Sequence, residues 1–269
     1  MKVSLSGYHA WAVRPESLRN RQERELLVHI RAAHKQSNGT YGSPRIHEEL
    51  RAAGVLCSRK RVARIMRKHD ISARAPRRFR VTTDSKHSLP VAENLLNREF
   101  ASAVANTRWA ADITYLWTRQ GWLYLAVVLD LHSRRVVGWS MQSTLERSLV
   151  LDALDMALDG RRPQPGRLLC HSDRGSQYAS DDYQNRLRNA GVDCSMSRKG
   201  NCYDNAPVES FFASLKRELV YRSRFATHNQ ARTAVFEWIE AWYNRRRRHS
   251  ALGFLSPEQF ERQQPSMAA

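Results

Sequence analysis

The sequence predicts a two-part chain: a small all-α helix-turn-helix unit, then an α/β unit built on a mixed sheet flanked by helices. Three observations carry this. Apolar residues recur at helical spacing between residues 25 and 69. Residues 109–117 alternate with a period of two, Trp109, Ala111, Ile113, Tyr115 and Trp117 against Ala110, Asp112, Thr114 and Leu116. The elements that follow run β-β-β-α-β, an order that makes a sheet antiparallel at first and parallel later.

In the first unit, residues 25–36 read as a helix with Leu26, Ile30 and Ala33 on one side. Asn38-Gly39 and Tyr41-Gly42-Ser43-Pro44 form a turn, and Pro44 suits the first turn of the next helix. That helix is expected to bury Ile46, Leu50 and Ala53 and to stop at Gly54. Ser58 then caps a third helix over residues 59–69, with Val62, Ile65 and Met66 inward. Before these lies an N-terminal extension, residues 1–24, and after them a basic linker, residues 72–106, in which 91–100 suggest a short amphipathic helix.

The second unit spans residues 107–221. Arg119-Gln120-Gly121 turns the first strand into the apolar run 122–131, a buried strand, and a third strand follows over 135–141. A helix over 145–158 and a strand over 167–170 come next, then helices over 181–189 and 207–221. Residues 222–269 are expected as a basic helical segment.

Charge narrows the partner. Lys and Arg number 44 against 26 Asp and Glu, a net charge of +18 with pI ≈ 10.5, which points to a polyanion. Residues 1–106 hold 21 bases and 9 acids, residues 107–221 hold 15 and 13, and residues 222–269 hold 8 and 4. The excess therefore sits on the flanks. A hydrophobic content of 42% suffices for a packed core. The apolar run 123–129 is too short for the ~20 residues that cross a bilayer, and the N-terminus lacks the apolar stretch of a signal peptide. Four cysteines without C-x-x-C spacing indicate neither a zinc ribbon nor a disulfide framework. A reducing, cytosolic compartment, close to DNA, is the expected setting.

Residues 59–80 hold ten bases and one acid, and a helix so charged after a turn suits a DNA groove. Arg59, Lys60, Arg61, Arg64, Arg67 and Lys68 are the expected contacts, with phosphate contact the safer inference. A solvated helix face is the plainer alternative.

Three acids point to chemistry. Asp112 sits inside an aromatic-rich strand, where aspartate is disfavoured. Asp173 follows an apolar strand, where open α/β sheets place ligands. Glu209 lies in the first turn of a helix, off its apolar stripe of Val208, Phe211, Leu215 and Leu219. Each has a structural explanation alone: an ion pair, a cap, the helix dipole. Together they can converge on one point of the sheet edge. An all-oxygen set favours Mg²⁺ or Mn²⁺, and two such ions clamp an in-line phosphoryl displacement.

Three segments carry a resemblance: W-A-A-D-I-T-Y-L around Asp112, H-S-D-R-G-S-Q-Y around Asp173, and S-R-K-G-N-C-Y-D-N-A-P-V-E-S-F-F-A-S-L-K around Glu209. They resemble the Asp-Asp-Glu transposases of bacterial insertion sequences, in particular the second-frame product of the two-frame family whose core is like retroviral integrase. The 35 residues between Asp173 and Glu209 match that family's spacing, and Lys216 stands at its usual basic position. The segments 41–46, 243–253 and 256–257 match as well.

The resemblance implies a ribonuclease-H-like fold, with Asp112, Asp173 and Glu209 catalytic and holding two metal ions. It implies cleavage at element ends, then attack of the freed 3′-hydroxyl on a phosphodiester of target DNA. His171, Gln177 and Asn205 are implied as neighbours of the acids, and Arg174, Lys199 and Lys216 as DNA contacts beside the basic Arg245 and Arg246. A homo-oligomer on DNA is implied, as is a first-frame protein or fusion, since the start of the chain resembles an internal junction. No His-His-Cys-Cys zinc module like that of retroviral integrases is legible. An inert DNA-binding accessory protein and a nuclease that cuts without joining stay open as alternatives.

Overall fold

The computed structural model describes residues 4–73, 90–199 and 201–263. The chain divides into two compact units, Met1–Ala75 and Pro76–Ala269.

In the first unit, α1 (Leu5–Ala12) buries none of its residues. Helix α2 (Leu18–Gln36) starts seven residues before the periodicity suggests, because the Ser17 hydroxyl caps it by accepting from the Asn20 amide. Helix α3 (Ser43–Ala52) has Pro44 in its first turn, and α4 (Arg59–Lys68) is capped by Ser58, which accepts from the Arg61 amide. Leu26, Ile30, Ile46, Leu50, Val62 and Ile65 form the core of this unit, with Tyr41 buried among them. Ala53, expected inside, is exposed, because the helix has already ended there. Gly54 follows with φ +78°, the left-handed stop that lets the Val55 amide reach back to the Leu50 carbonyl.

The second unit carries a five-stranded sheet in the order β3-β2-β1-β4-β5. Strands β1 (Arg108–Thr118), β2 (Gly121–Asp130) and β3 (Val136–Gln142) are an antiparallel meander. Strands β4 (Leu168–Ser172) and β5 (Val192–Met196) run parallel to β1. The meander, helix and first parallel strand follow the expected order. Strand β5 was not expected, although its five residues, Val-Asp-Cys-Ser-Met, alternate apolar and polar as a short half-buried strand does.

Both faces of the sheet are covered. Helices α5 (Arg147–Arg161) and α6 (Asp181–Asn189) pack with Trp109, Ala111, Ala126 and Val128. Helix α7 (Ala206–Glu218) and the continuous α8 (His228–Phe236) and π-helical Glu237–Tyr243 pack with Ala110, Leu116 and the inward row of β2. Residues 222–263 are therefore part of the core, not a basic appendage. Their last element, α9 (Pro257–Gln263), is held by Glu261 between Arg135 and Arg161.

Of the expected linker, residues 74–89 lie outside the described residues, and 90–106 join the second unit. Residues 91–100 are not helical. Asn97 and Arg98 take positive φ, and the Leu95 and Leu96 amides donate to Ser195 Oγ, with Leu96 buried in the core.

Gly138 on β3 sets how closely α5 approaches. A Cβ there would lie 2.1 Å from the Ala153 carbonyl oxygen and 2.8 Å from Ala157 Cβ. Gly138→Ala is expected to destabilise the chain by about 1–3 kcal/mol, read as a lower urea midpoint at unchanged slope.

Candidate active site

Strand register brings the first two acids together. Ala111 pairs with Ser172 across the parallel β1–β4 ladder, so Asp112 and Asp173 are the next residues on adjacent chains, ~4.8 Å apart in the pairing direction. Asp112 shares its parity with Ala110 and Leu116, whose side chains pack beneath α7 and α8. Glu209 enters from the first turn of α7, where the helix dipole favours a carboxylate.

The electrostatics tie the three together. Burial, then the charge of Asp173, then that of Glu209 push the Asp112 carboxyl well above the usual carboxylate range. The Ile113 amide, donating to Asp112 Oδ1 at 2.8 Å, and the nearby Lys216 ammonium act the other way. Burial raises Glu209 as well, and burial lowers the Lys216 ammonium against the pull of Asp112. Asp173 is fixed by its own loop: the Gly175 amide donates to its Oδ1 at 2.9 Å, and a Cβ on Gly175 would crowd that oxygen at 3.0 Å. Beside the acids lies Tyr178, a buried phenol without a hydrogen-bond partner among the described residues.

No group of three His, Cys, Asp or Glu is drawn up as a closed ion cage among the described residues. Three carboxylates with one half-buried lysine between them repel one another at close range. Oxygen donors nevertheless predominate, which is the chemistry of a hard divalent cation. Asn205 adds to this set. Its Nδ2 donates to the Ala111 carbonyl at 3.1 Å, while its Oδ1 is buried without a partner among the described residues. One helical turn separates it from Glu209, so the amide links the start of α7 to the residue before Asp112.

Comparisons with known proteins give the family. Integrase core domain families match residues 103–202 and 190–257, and an HTH-like domain family matches residues 21–79. Over 263 residues the chain is 47% identical to transposase InsF for insertion sequence IS3A of Escherichia coli (strain K12), covering 97% of this chain and 91% of that protein. The chain belongs to the IS3 family of insertion-sequence transposases. It is also 44% identical over 267 residues to the insertion element IS600 uncharacterized 31 kDa protein of Shigella sonnei, covering 99% of this chain and 98% of that one. In fold it is similar to a chain of the simian T-cell lymphotropic virus intasome, solved in complex with a PP2A regulatory subunit. That match has TM-score 0.52 at 16% identity and covers 88% of this chain and 75% of the other. The fold is thus integrase-like, of the ribonuclease H class, and the protein works in DNA transposition as a nuclease and strand-transfer enzyme.

The remaining expected residues of the transposase fall into two groups. His171 is fully buried, with Nδ1 2.8 Å from Ser195 Oγ and Nε2 3.1 Å from Ser197 Oγ. Burial lowers its pKa to about 4, with Asp204 opposing. It is a neutral brace between β4 and β5. Arg174 donates Nε to the Ser197 carbonyl at 2.6 Å, and Gln177 donates to the Leu145 carbonyl at 3.3 Å, so both fasten loops around the acids. Lys199 stands exposed in the turn before α7.

In the first unit, Arg59, Lys60 and Arg67 are exposed and Arg61 half-buried, but Arg64 and Lys68 bond the buried Glu23 at 2.6 and 2.8 Å. Those two bonds hold Glu23 down at about 2, so two of the six cations of that helix are already engaged inside the unit. Of the run 245–248, Arg245 and Arg246 are exposed, whereas Arg247 is buried and bonds Glu218 in a fork at 2.8–3.1 Å. Arg247 is a structural residue.

One residue that sequence reading passed over is Asp204, fully buried below the loop that carries Lys199. It accepts from Arg198 at 2.7 and 2.9 Å, from Arg98 at 2.9 Å and from Asn94 at 2.9 Å. The Arg198 bonds, then that of Arg98, hold its carboxyl far below the usual range. The available signal was its place in the run N-C-Y-D-N-A, immediately before Asn205.

Two outcomes follow from these placements. Arg247→Ala leaves Glu218 buried without its counter-charge, held only by the Trp242 Nε1 bond at 3.2 Å, and is expected to cost about 3 kcal/mol in chemical denaturation. Because His171 protonates near 4 when folded and at 6.5 otherwise, the unfolded chain binds the extra proton between those values. Stability is expected to fall as pH drops from 6.5 towards 4 by about 3 kcal/mol from this group. His171→Asn should flatten that slope by one proton.

Proposed function

We propose that Asp112, Asp173 and Glu209 are the catalytic acids of this transposase and would hold two divalent ions, Mg²⁺ or Mn²⁺. The observation that carries this reading is the strand register that sets Asp112 and Asp173 side by side, with the charges of Asp173, Glu209 and Lys216 all bearing on the buried Asp112 carboxyl. The residues fit the ions: the donors are oxygens, the charges of Asp173 and Glu209 both bear on the buried Asp112, and Asn205 Oδ1 is a buried acceptor without a partner among the described residues. When bound, the ions supply Lewis acidity and neutralise charge at the attacking and leaving oxygens of a phosphoryl displacement.

The chain's own residues do the rest. Lys216, two turns along α7 from Glu209, holds a phosphate of the DNA strand beside the acids. Asn205 keeps the start of α7 at a fixed distance from β1, and Gly175 lets the Asp173 loop close tightly. The reaction is cleavage at an element end followed by attack of the 3′-hydroxyl on a second phosphodiester, without a covalent protein intermediate. Lys199, Arg174, Arg245 and Arg246 line the approach of DNA, while Arg59, Lys60 and Arg61 serve the first unit's own DNA contact and Arg64 and Lys68 stay on Glu23. Because two ends must be joined, the working form is a homo-oligomer on DNA in the bacterial cytoplasm, with a first-frame protein or fusion supplying end recognition.

Labelled element ends incubated with the chain and Mg²⁺ are expected to give joined products, and Asp112→Asn to abolish them by a factor of at least ~10³. Without divalent ion the same substitution should raise Tm, since it removes one of three crowded charges, and should blunt the rise in Tm that Mg²⁺ gives the parent. Equal joining by Asp112→Asn would sink the assignment of the acids. Cleavage without joining would make the chain a nuclease.

A further inference from the structure

At Lys216, two turns along α7 from Glu209, opens a pocket of about 480 Å³ whose other lining residues the proposed chemistry does not use. Strand β4 pairs with β1 over Arg108–Ala111, which leaves the outer half of β1 without β4 beside it. There the β1–β2 hairpin meets the C-terminal end of α7 and the 3-10 turn Val220–Arg222. Its size is that of a small-ligand site.

The lining joins two kinds of side chain. Trp117 and Trp122 face each other across the hairpin register and stack edge to face, with centroids 4.9 Å apart at 73°. Tyr115 meets Trp122 at 5.1 Å and 84°. Trp117 is 59% and Trp122 45% exposed, and Tyr221 on the opposite wall is 54% exposed. Such rings normally bury their area, so leaving them in water is costly unless a partner covers them. The cations are Lys216, whose Nζ lies 5.4 Å above the Tyr115 ring, and the exposed Arg119 and Arg224. No carboxylate lines the pocket among the described residues.

Open aromatic faces beside cations suit one partner in particular: a nucleotide whose base is free to stack and whose phosphate is exposed. A paired base inside a duplex offers no face. We infer that this pocket takes an unpaired DNA nucleotide next to the strand being cut, its base against Trp117 and Trp122 and its phosphate against Lys216, Arg119 or Arg224. The assignment rests on the reading that the neighbouring acids act on DNA. It adds that the enzyme holds a frayed, not a fully paired, end.

The test uses the full chain in EDTA, so that binding is read without chemistry. Fluorescence anisotropy compares a labelled blunt duplex with the same duplex bearing three unpaired nucleotides at one end. The parent is expected to bind the frayed end about tenfold more tightly, the lower part of the range for base–aromatic stacking. Trp117→Ala with Trp122→Ala should bring the two affinities within about twofold. Trp117→Phe with Trp122→Phe, which keeps the stacking faces, should retain most of the preference, and matched thermal melts would show both variants folded. Equal affinity of the parent for both duplexes, or an undiminished preference in the double alanine variant, would overturn the assignment. So would a free deoxynucleoside monophosphate that competes as well as the frayed end does, since the pocket would then be a mononucleotide site. The joining assay in Mg²⁺ keeps this separate from catalysis: joining with no end preference refutes the pocket alone, and end preference without joining refutes the acids alone.

Discussion

The parallel register of β4 on β1 is the constraint from which the rest of the site follows. With Ala111 opposite Ser172, the two aspartates step onto the same side of neighbouring strands. A slip of one residue would carry one of them to the opposite face, among the aliphatic side chains of α5. Parallel pairing also requires both faces of the sheet to be covered, and the helices that cover them set the third acid. Helix α7 buries Val208, Phe211, Phe212 and Leu215 against the sheet, and Glu209 is carried to the edge because it lies off that stripe.

Charge elsewhere in the molecule is handled in the opposite manner. Glu23, Asp204, Glu218 and Glu261 are enclosed acids, and each is matched by arginine or lysine at hydrogen-bond distance. Asp112 and Glu209 are raised where Glu23 and Asp204 are lowered. The contrast separates acids that hold the fold from acids kept short of cations, and the second state is tolerated because the fold around it is over-determined.

Much of this was legible from the residues. An aspartate inside Trp-Ala-Ala-Asp-Ile-Thr-Tyr violates strand preference, and such violations mark sites that a structure tolerates for chemistry. Helix α6 and the cap of α4 were legible because a local signal defines each end. What could not be read depends on distant partners. Arg247 looks like one more base in a run of four until Glu218, 29 positions earlier, is found beneath it. Arg64 and Lys68 look like free cations until Glu23 is placed between them, 41 and 45 positions away. Strand β5 carries only a five-residue alternation and is held by its pairing with β4, while residues 90–100 are held by Ser195 and Asp204 and leave no periodic trace.

The fork between Arg247 and Glu218 has a consequence for how the protein comes into being. The helix that carries Glu209 ends on a carboxylate whose counter-charge is made 29 residues later, and the Arg161 and Arg135 side chains wait still longer for Glu261. During synthesis the chain leaves the ribosome with its acids in place but their scaffold unfinished. The end of α7 is therefore neutralised only once the chain has run past Arg247, and α9 is fastened only once Glu261 is in place.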